Sequence, residues 1–365
     1  MRTSTAPDAA RLRVGVVGAS GYTGAELMRL LAGHPWLDVA VVAGNTQAGT
    51  AVAELYPGLG PHYADTVYTA YDPAALVGLD AVFLCLPHMA SAPVVADLLG
   101  RVGCIVDLGS DFRLADAALY PRWYGVEHPM PELLGEFVYG LVELNRSELA
   151  GAKAVAVPGC YPTAAALALA PFAAGGHIET AGVVVDAASG VSGAGRAPTD
   201  GTGFVSVDED FTAYGLDGHR HTPEIEQATG CEVLFTPHLA PMARGILATC
   251  YARPAGGADG GADGGADGGT AGAGFTTADA LDVLHRAYDD EPFVVVGEAS
   301  PHTKSTLGAN TAHLTARVDE RTGWLISICA IDNLVKGASG AALQCANLAL
   351  GLPETAGLPT IGLTP

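Results

Sequence analysis

The chain has 365 residues, nearly half of them hydrophobic and few of them charged, so we expect two folded domains and no global disorder. Its formal net charge of -21 excludes a nucleic-acid-binding protein, because a phosphate backbone requires a basic surface. We expect no membrane helix, and no secretory signal in residues 1–10. Seven cysteines without a Cys-x-x-Cys pair exclude a disulfide framework and indicate a reducing cytoplasm.

The first part of the chain alternates between predicted strands and helices. Strands are predicted at residues 12–17, 39–43, 81–86 and 104–108, and helices at 25–32 and 91–99. This alternation is typical of α/β proteins with a doubly wound parallel sheet. We therefore predict an N-terminal Rossmann dinucleotide-binding domain over residues 1–157.

Beyond residue 158 predicted strands dominate, which favours a mixed sheet in a second domain over residues 158–333. The strands are expected at residues 183–186, 232–235, 245–252, 293–296, 313–318 and 324–331, with one clear helix at 277–288. A last helix, within residues 334–365, is expected to return and complete the first domain. The Gly-Ala-Asp repeats in residues 254–274 predict a flexible surface insertion.

The glycine-rich turn after the first strand is the candidate cofactor site. Glycines let the backbone approach a pyrophosphate, and the N–H groups at a helix start point towards it. The candidate contacts are Gly18, Ser20, Gly21, Tyr22, Thr23 and Gly24. After the second strand, residues 44–47 contain no carboxylate that would repel a 2′-phosphate, so we expect NADP.

Cys160 is the candidate nucleophile. The other six cysteines lie in apolar runs, which is typical of buried core thiols. Cys160 instead follows the Pro158-Gly159 turn and precedes a predicted helix at 164–172. A helix N-terminus favours the thiolate, because the macrodipole and the free amides stabilise negative charge. This position indicates a catalytic role.

Two polar segments are candidates for substrate binding and proton transfer. Residues 219–224, His-Arg-His-Thr-Pro-Glu, suit phosphate binding and a proton shuttle. A solvated loop leading into a helix, with Thr222 as N-cap and Pro223 first, explains them equally well. The segment Ser110 to Arg113 follows a strand, where open α/β sheets bind ligands, and Arg113 is a candidate anion clamp. No metal site is expected.

Taken together, these segments resemble the N-acetyl-gamma-glutamyl-phosphate reductase family, which is related to aspartate-semialdehyde dehydrogenase. The resemblance covers nearly the whole chain and rests on residues 18–24, 107–113, 139–145, 158–163, 189–196, 219–225, 237–245 and 332–338. It implies a Rossmann domain joined to an α+β catalytic and dimerisation domain, usually in a homotetramer that uses NADPH. We expect a homo-oligomer, either a dimer or a tetramer.

The resemblance also implies roles for individual residues. Cys160 matches the family nucleophile and His219 its acid/base partner. Positions near the nicotinamide are matched by Ser189, Gly190 and Asn333, and substrate-side positions by Ser110, Arg113, His221 and Glu224. The family often has a Ser-Arg pair after the second strand to bind the 2′-phosphate. Residues 44–47 lack that pair, so the strength of the NADP preference stays open.

The implied activity is NADPH-dependent reduction of the acyl phosphate N-acetyl-L-glutamyl 5-phosphate to N-acetyl-L-glutamate 5-semialdehyde, in arginine biosynthesis, through a Cys160 thioester. One alternative is aspartate-semialdehyde dehydrogenase, whose family generally has Glu and Lys in place of the His-Arg-His at 219–221. An alternative of another class is a non-catalytic dinucleotide-sensing protein, which would be expected to have lost Cys160.

Overall fold

The computed structural model describes residues 11–256 and 274–363. The predicted insertion at 254–274 lies outside these residues except at its two ends, and the expectation for residues 1–10 lies outside them entirely. Across the described ranges, no helix has both the length and the apolar character needed to cross a membrane.

The N-terminal half forms a six-stranded parallel sheet. Its strands are β1 (Leu12–Val17), β2 (Leu37–Ala43), β3 (Ala81–Leu84), β4 (Ile105–Asp107), β5 (Val138–Tyr139) and β6 (Ala154–Ala156). The spatial order is β2-β1-β3-β4-β6-β5, with every neighbouring pair parallel. The order reverses beside β1, so the carboxyl ends of β1 and β3 border the crevice in which such sheets bind ligands. The predicted Rossmann-type fold is confirmed.

Helices cover both faces of this sheet. They are α1 (Tyr22–Ala32), α2 (Val52–Leu55), α3 (Gly60–Tyr63), α4 (Pro73–Leu76), α5 (Ala92–Leu98), α6 (Tyr120–Tyr124) and α7 (Val142–Leu149). Helix α1 buries Leu27, Leu30 and Leu31, whose spacing places them on one face of the helix. These side chains join a core with Val14 and Val16 of β1.

The second half forms a seven-stranded mixed sheet, as predicted. Its strands are β7 (Val183–Gly190), β8 (Thr212–Ala213), β9 (Val233–Ala240), β10 (Ile246–Ala252), β11 (Val294–Val296), β12 (Ala312–Val318) and β13 (Leu325–Ile331). They lie in the order β11-β12-β13-β10-β7-β9-β8, and within this sheet, as far as the structure describes it, only the β7–β9 and β11–β12 pairs are parallel. The accompanying helices are α8 (Cys160–Ala174), α9 (Phe204–Val207), α10 (Thr222–Thr229) and α11 (Thr277–Tyr288).

The end of the chain returns to the parallel sheet. A π-helical turn, Val335–Ser339, leads into α12 (Gly340–Ala349). Helix α12 buries Ala342, Leu343 and Ala346 in the same core as β1. The domain boundaries at 157/158 and 333/334 stay predictions from the sequence.

Candidate active site

Close backbone approaches shape the glycine-rich turn between β1 and α1. Gly18 has a φ of +83°, and a Cβ atom there would lie 2.1 Å from the carbonyl oxygen of Cys85. A Cβ atom on Gly24 would lie 2.5 Å from the carbonyl oxygen of Gly18. Both positions therefore require glycine, for the left-handed backbone at Gly18 and for the close approach at Gly24.

The start of α1 is open to an anion. Gly21 is the N-cap, and no described side chain caps this end, so the N–H groups of Tyr22, Thr23 and Gly24 lack partners within the helix. The Ser20 hydroxyl is buried and donates to the carbonyl of Gly44 at 3.1 Å, which ties the turn to the end of β2. This cradle fits the pyrophosphate of a dinucleotide.

The three residues expected near the nicotinamide lie close together. Ser189 and Gly190 end β7, and Gly190 donates its N–H to the carbonyl of Gly245 at 2.9 Å. Asn333 accepts from the N–H of Gly245 at 2.8 Å and donates to the Ser192 hydroxyl at 3.0 Å. The amide of Asn333 therefore fixes the loop that follows β7.

A cavity of about 420 Å³ separates this loop from α1. Its lining includes Tyr22, Ser192, Arg196, Arg244 and Leu334. The cavity lies between the uncapped start of α1 and the loop that Asn333 fixes. An extended ligand such as a dinucleotide could therefore bind in it.

Cys160 is the first residue of α8. Gly159, with φ -67° and ψ 155°, is the N-cap, and no described side chain caps this end. The π-helical turn packs against the nucleophile, because a Cβ atom on Gly337 would lie 2.7 Å from the Cβ of Cys160. Gly159 and Gly337 therefore lie on either side of Cys160 and limit where its side chain can lie.

The thiol of Cys160 is not ionised by its position alone. Burial raises the pKa of Cys160 to about 11, although the Arg113 guanidinium and the backbone N–H of Tyr161 act to lower it. The amide at the helix start acts in the expected direction, but the cost of burying a charge exceeds its effect, so the thiol stays protonated in the protein alone. Ionisation therefore needs a base.

Two histidines lie beside the nucleophile loop. A Cβ atom on Gly159 would lie 2.4 Å from Nε2 of His221. The rings of His219 and His221 are 4.8 Å apart, and each is 5.8 Å from the ring of Tyr161. Burial lowers the pKa of His219 to about 4 and holds the pKa of His221 well below its usual value. Both are neutral at physiological pH and can accept a proton.

Helix α10 begins differently from the prediction. His221 is the N-cap, Thr222 is the first residue and Pro223 the second, and the described residues provide no side-chain cap. The predicted Thr222 cap fails because residue 221 already has helical backbone angles, with φ -80° and ψ -12°. The backbone N–H of His221 instead donates to Nδ1 of His219 at 3.1 Å, which leaves the proton of a neutral His219 on Nε2.

Arg113 is held by the protein. Its Nε donates to the carbonyl of Val157 at 2.8 Å and its Nη2 to the carbonyl of Leu108 at 2.9 Å. Its Nη1 lies 3.6 Å from Oε2 of Glu224. The guanidinium thus joins the ends of β4 and β6, and its predicted role as an anion clamp stays a prediction.

Glu224 holds the backbone of the nucleophile loop, residues 157–159, which immediately precedes Cys160. Its side chain is fully buried, and Oε1 accepts from the N–H of Gly159 at 2.7 Å and from the hydroxyl of Tyr139 at 2.9 Å. The Arg113–Glu224 pair therefore contacts the loop that immediately precedes Cys160. Its contacts show a positioning role, and a direct contact of Glu224 with substrate stays a prediction.

Several buried polar atoms around Cys160 have no hydrogen-bond partner among the described residues. They are the Ser110 hydroxyl, the Tyr124 hydroxyl and Nδ1 of His221, while Oε2 of Glu224 makes no hydrogen bond but faces the Arg113 guanidinium at 3.6 Å. Burial, followed by Glu224, raises the pKa of Tyr124 to about 12, while Arg113 and Ser110 lower it, which places these groups near one another. Unpaired buried polar atoms are costly, so their clustering points to a bound polar ligand.

Tyr124 was not predicted from the sequence, because nothing in its neighbourhood matches a motif and its role depends on which segments fold around it. A metal ion is not indicated, since residues 11–256 and 274–363 contain no group of three or more potential ligands.

Comparison with known proteins identifies the family. Two family models match, the semialdehyde dehydrogenase NAD binding domain over residues 13–152 and the semialdehyde dehydrogenase dimerisation domain over residues 160–333. The chain is 47% identical to the N-acetyl-gamma-glutamyl-phosphate reductase of Symbiobacterium thermophilum, with 96% of this chain and 98% of that protein covered. It is 43% identical to the enzyme of the same name from Magnetococcus marinus, with 97% and 99% covered.

The fold is also similar to solved structures. Aspartate semialdehyde dehydrogenase II from Vibrio cholerae, complexed with ASA, has a TM-score of 0.66 at 15% identity, covering 93% of this chain and 98% of that one. A probable aspartate-semialdehyde dehydrogenase from Pseudomonas aeruginosa has a TM-score of 0.63 at 18% identity, with the same coverage. The architecture is therefore shared, while the sequence is far nearer to the reductases. The chain belongs to the N-acetyl-gamma-glutamyl-phosphate reductase family.

Proposed function

We propose that the protein reduces N-acetyl-L-glutamyl 5-phosphate to N-acetyl-L-glutamate 5-semialdehyde and phosphate, using NADPH, as a step of arginine biosynthesis. The observation that carries the proposal is the position of Cys160, at the uncapped start of α8 beside two neutral histidines and a cluster of unpaired polar atoms. The identity of the substrate is inferred from the names of the related reductases.

The residues fit the cofactor. The cradle around Gly18 and Gly24 has no room for side chains, and the uncapped start of α1 offers N–H donors to the pyrophosphate. Ser189, Gly190 and Asn333 would hold the nicotinamide end. When bound, the reduced cofactor supplies a hydride.

In the first step the Cys160 sulfur attacks the acyl carbon of the substrate. A C–S bond forms and the bond from that carbon to the phosphate oxygen breaks, which gives a thioester. His221, which is neutral and whose Nδ1 has no hydrogen-bond partner among the described residues, takes the thiol proton and passes it to the departing phosphate. The N–H groups at the start of α8 stabilise the negative charge that develops on the carbonyl oxygen.

In the second step, after hydride addition to the thioester carbon, the C–S bond breaks and the aldehyde leaves. A proton that His219 takes up from solvent is then passed to the Cys160 thiolate, which returns the thiol and the histidine to their neutral forms. The reaction consumes one hydride and one proton per acyl phosphate. The Arg113–Glu224 pair keeps the nucleophile loop in place throughout.

Both alternatives are less well supported. The identities of 43–47% are to N-acetyl-gamma-glutamyl-phosphate reductases, and residues 219–221 lack the Glu and Lys expected of an aspartate-semialdehyde dehydrogenase. A non-catalytic dinucleotide sensor would not need Cys160 at a helix start beside two neutral histidines.

The test is oxidation of the aldehyde in the presence of NADP and phosphate. We expect turnover with N-acetylglutamate semialdehyde and at least a hundred-fold (about 2.7 kcal/mol) lower specificity constant with aspartate semialdehyde. Equal turnover of the two aldehydes, or a preference for aspartate semialdehyde, would overturn the proposal.

The proposal includes a homo-oligomer, a dimer or tetramer, in the cytoplasm. All seven cysteines are unpaired, which suits a reducing compartment. Phe204, Val205 and Leu216 are 76%, 92% and 73% exposed and could be covered by a second copy. Light scattering after size-exclusion chromatography tests this, and a monomer at micromolar concentration would contradict it.

A further inference from the structure

The end of β2 is bordered by tyrosines and contains no cation. Residues 44–47 are Gly-Asn-Thr-Gln. The Tyr68 ring packs on Gly44, where a Cβ atom would lie 2.7 Å from its Cδ1. Tyr56 donates its hydroxyl to the carbonyl of Ser20 at 2.9 Å. In folds of this class the adenosine ribose lies at the end of the second strand, so a 2′-phosphate there needs a positive charge from elsewhere.

Arg196 lies in the loop after β7 and lines the cavity beside Tyr22 at the start of α1. Burial raises the pKa of Tyr68 to about 12 and also raises the pKa of Tyr56, while the Arg196 guanidinium acts on both phenols in the opposite direction. This effect, together with the place of Arg196 in the wall of the cavity that Tyr22 also lines, puts its positive charge on the side of the two tyrosines. The hydroxyl of Tyr68 is buried and has no partner among the described residues, so it is free to bind a ligand.

Two arginines line the cavity between the halves of the molecule, and only Arg196 has its charge available. Arg244 pairs with Glu26 and Asp332, each at 3.0 Å. Arg196 forms no ion pair with any carboxylate in residues 11–256 and 274–363. On a chain with a formal net charge of -21, an anion needs such a local cation.

We propose that Arg196 binds the 2′-phosphate of NADPH, reaching across the cavity from the loop after β7 to the tyrosines beside β2. This inference rests on the cofactor of the proposed function and identifies the residue that sets the preference for NADP over NAD. A guanidinium suits the role because its planar donors pair with two phosphate oxygens at once. Binding would also draw the loop after β7 towards the parallel sheet.

The test is equilibrium binding, by calorimetry and without acyl substrate, of NADP, NAD and 2′,5′-ADP, which has the 2′-phosphate but no nicotinamide. Arg196→Ala should weaken binding of NADP and 2′,5′-ADP roughly ten- to hundred-fold and leave binding of NAD within about two-fold. Arg196→Lys should recover part of the loss. Arg321→Ala, which removes a charge from the exposed turn between β12 and β13, should change none of the affinities.

Unchanged affinity of Arg196→Ala for 2′,5′-ADP, or an equal loss for NADP and NAD, would overturn the proposal. Because none of these ligands reacts, that failure is distinct from a failure of the proposed function. The latter would appear as absent turnover of the acyl phosphate while 2′,5′-ADP still binds.

Discussion

Glu224 accepts a hydrogen bond of 2.7 Å from the backbone N–H of Gly159, so a fully buried carboxylate fixes the residue immediately before the nucleophile. The same carboxylate faces Arg113, and the two charges act on Cys160 in opposite directions. Burial is the main cause of the raised pKa of Cys160, Arg113 lowers that pKa, and Glu224 adds to the increase. The Arg113–Glu224 ion pair therefore affects both the position of the Cys160 sulfur, through Gly159, and its pKa.

Replacing Glu224 by glutamine separates these two effects. Glu224→Gln removes a negative charge, so the pKa of Cys160 should fall and the pH midpoint of its alkylation by iodoacetamide should decrease. The free energy of unfolding should also decrease, by about 3–5 kcal/mol, because Arg113 is left buried and unpaired. The double variant Arg113→Met/Glu224→Gln should recover most of this stability. Alkylation with the pH dependence of the wild type would contradict the coupling.

Gly337 limits the space around the nucleophile. Gly337→Ala would place a methyl group 2.7 Å from the Cβ of Cys160, so turnover should fall by at least ten-fold (about 1.4 kcal/mol) as the sulfur is displaced. Cofactor affinity should stay unchanged, because the glycine-rich turn is not touched. Gly297→Ala is the matched control, since a Cβ atom there meets nothing within 4 Å. Equal turnover in the two variants would show that the π-helical turn does not position the sulfur.

The unpaired hydroxyl of Tyr124 should lower the stability of the free protein and strengthen the binding of substrate. It is buried and has no hydrogen-bond partner among the described residues, so Tyr124→Phe should leave the melting temperature unchanged or raise it. If the hydroxyl binds substrate, the same variant should raise KM for the acyl phosphate by roughly three- to ten-fold, the loss of one hydrogen bond. Thermal unfolding and steady-state kinetics measure the two quantities. A lower melting temperature with an unchanged KM would indicate a structural role.

Much of the fold could be predicted because its signals are local. The β1–turn–α1 segment combines a β-branched strand, glycines at two positions that admit no side chain and an amphipathic helix, all within residues 12–32. The position of Cys160 at the start of a helix was predicted in the same way, from the turn and helix on either side of it.

The features that sequence reasoning missed depend on distant segments. The Arg113–Glu224 pair and the effect of Arg196 on Tyr68 each involve residues far apart in the chain, and the burial of the Tyr124 hydroxyl depends on the segments that fold around it. The raised pKa of Cys160 was missed for the same reason. The helix start is a local feature, whereas the burial that outweighs it comes from the surrounding chain.

Stability should depend on pH through the buried His219. Its pKa is about 4 in the folded protein, and its usual value of 6.5 applies to the unfolded chain. Between pH 4 and 6.5 the unfolded chain therefore binds more protons than the folded protein. The unfolding free energy contributed by His219 therefore falls as the pH decreases through this window. Asp107, whose pKa burial raises to about 7, contributes the opposite slope, so the wild type must be compared with His219→Asn. Denaturant unfolding should show a smaller loss in the variant on acidification, and parallel profiles would contradict a neutral buried His219.

The central claim is that Cys160 forms the acyl-enzyme, and the most direct measurement is mass spectrometry of the protein incubated with acyl phosphate and no NADPH. Of the seven thiols, Cys160 should be the only one to gain the acyl group, because burial raises the pKa of all seven and Cys160 lies at a helix start beside two neutral histidines that can take its proton. Cys160→Ser should bind cofactor normally, form no adduct and lose several orders of magnitude in turnover. An adduct on another cysteine, or substantial activity in Cys160→Ser, would contradict the account.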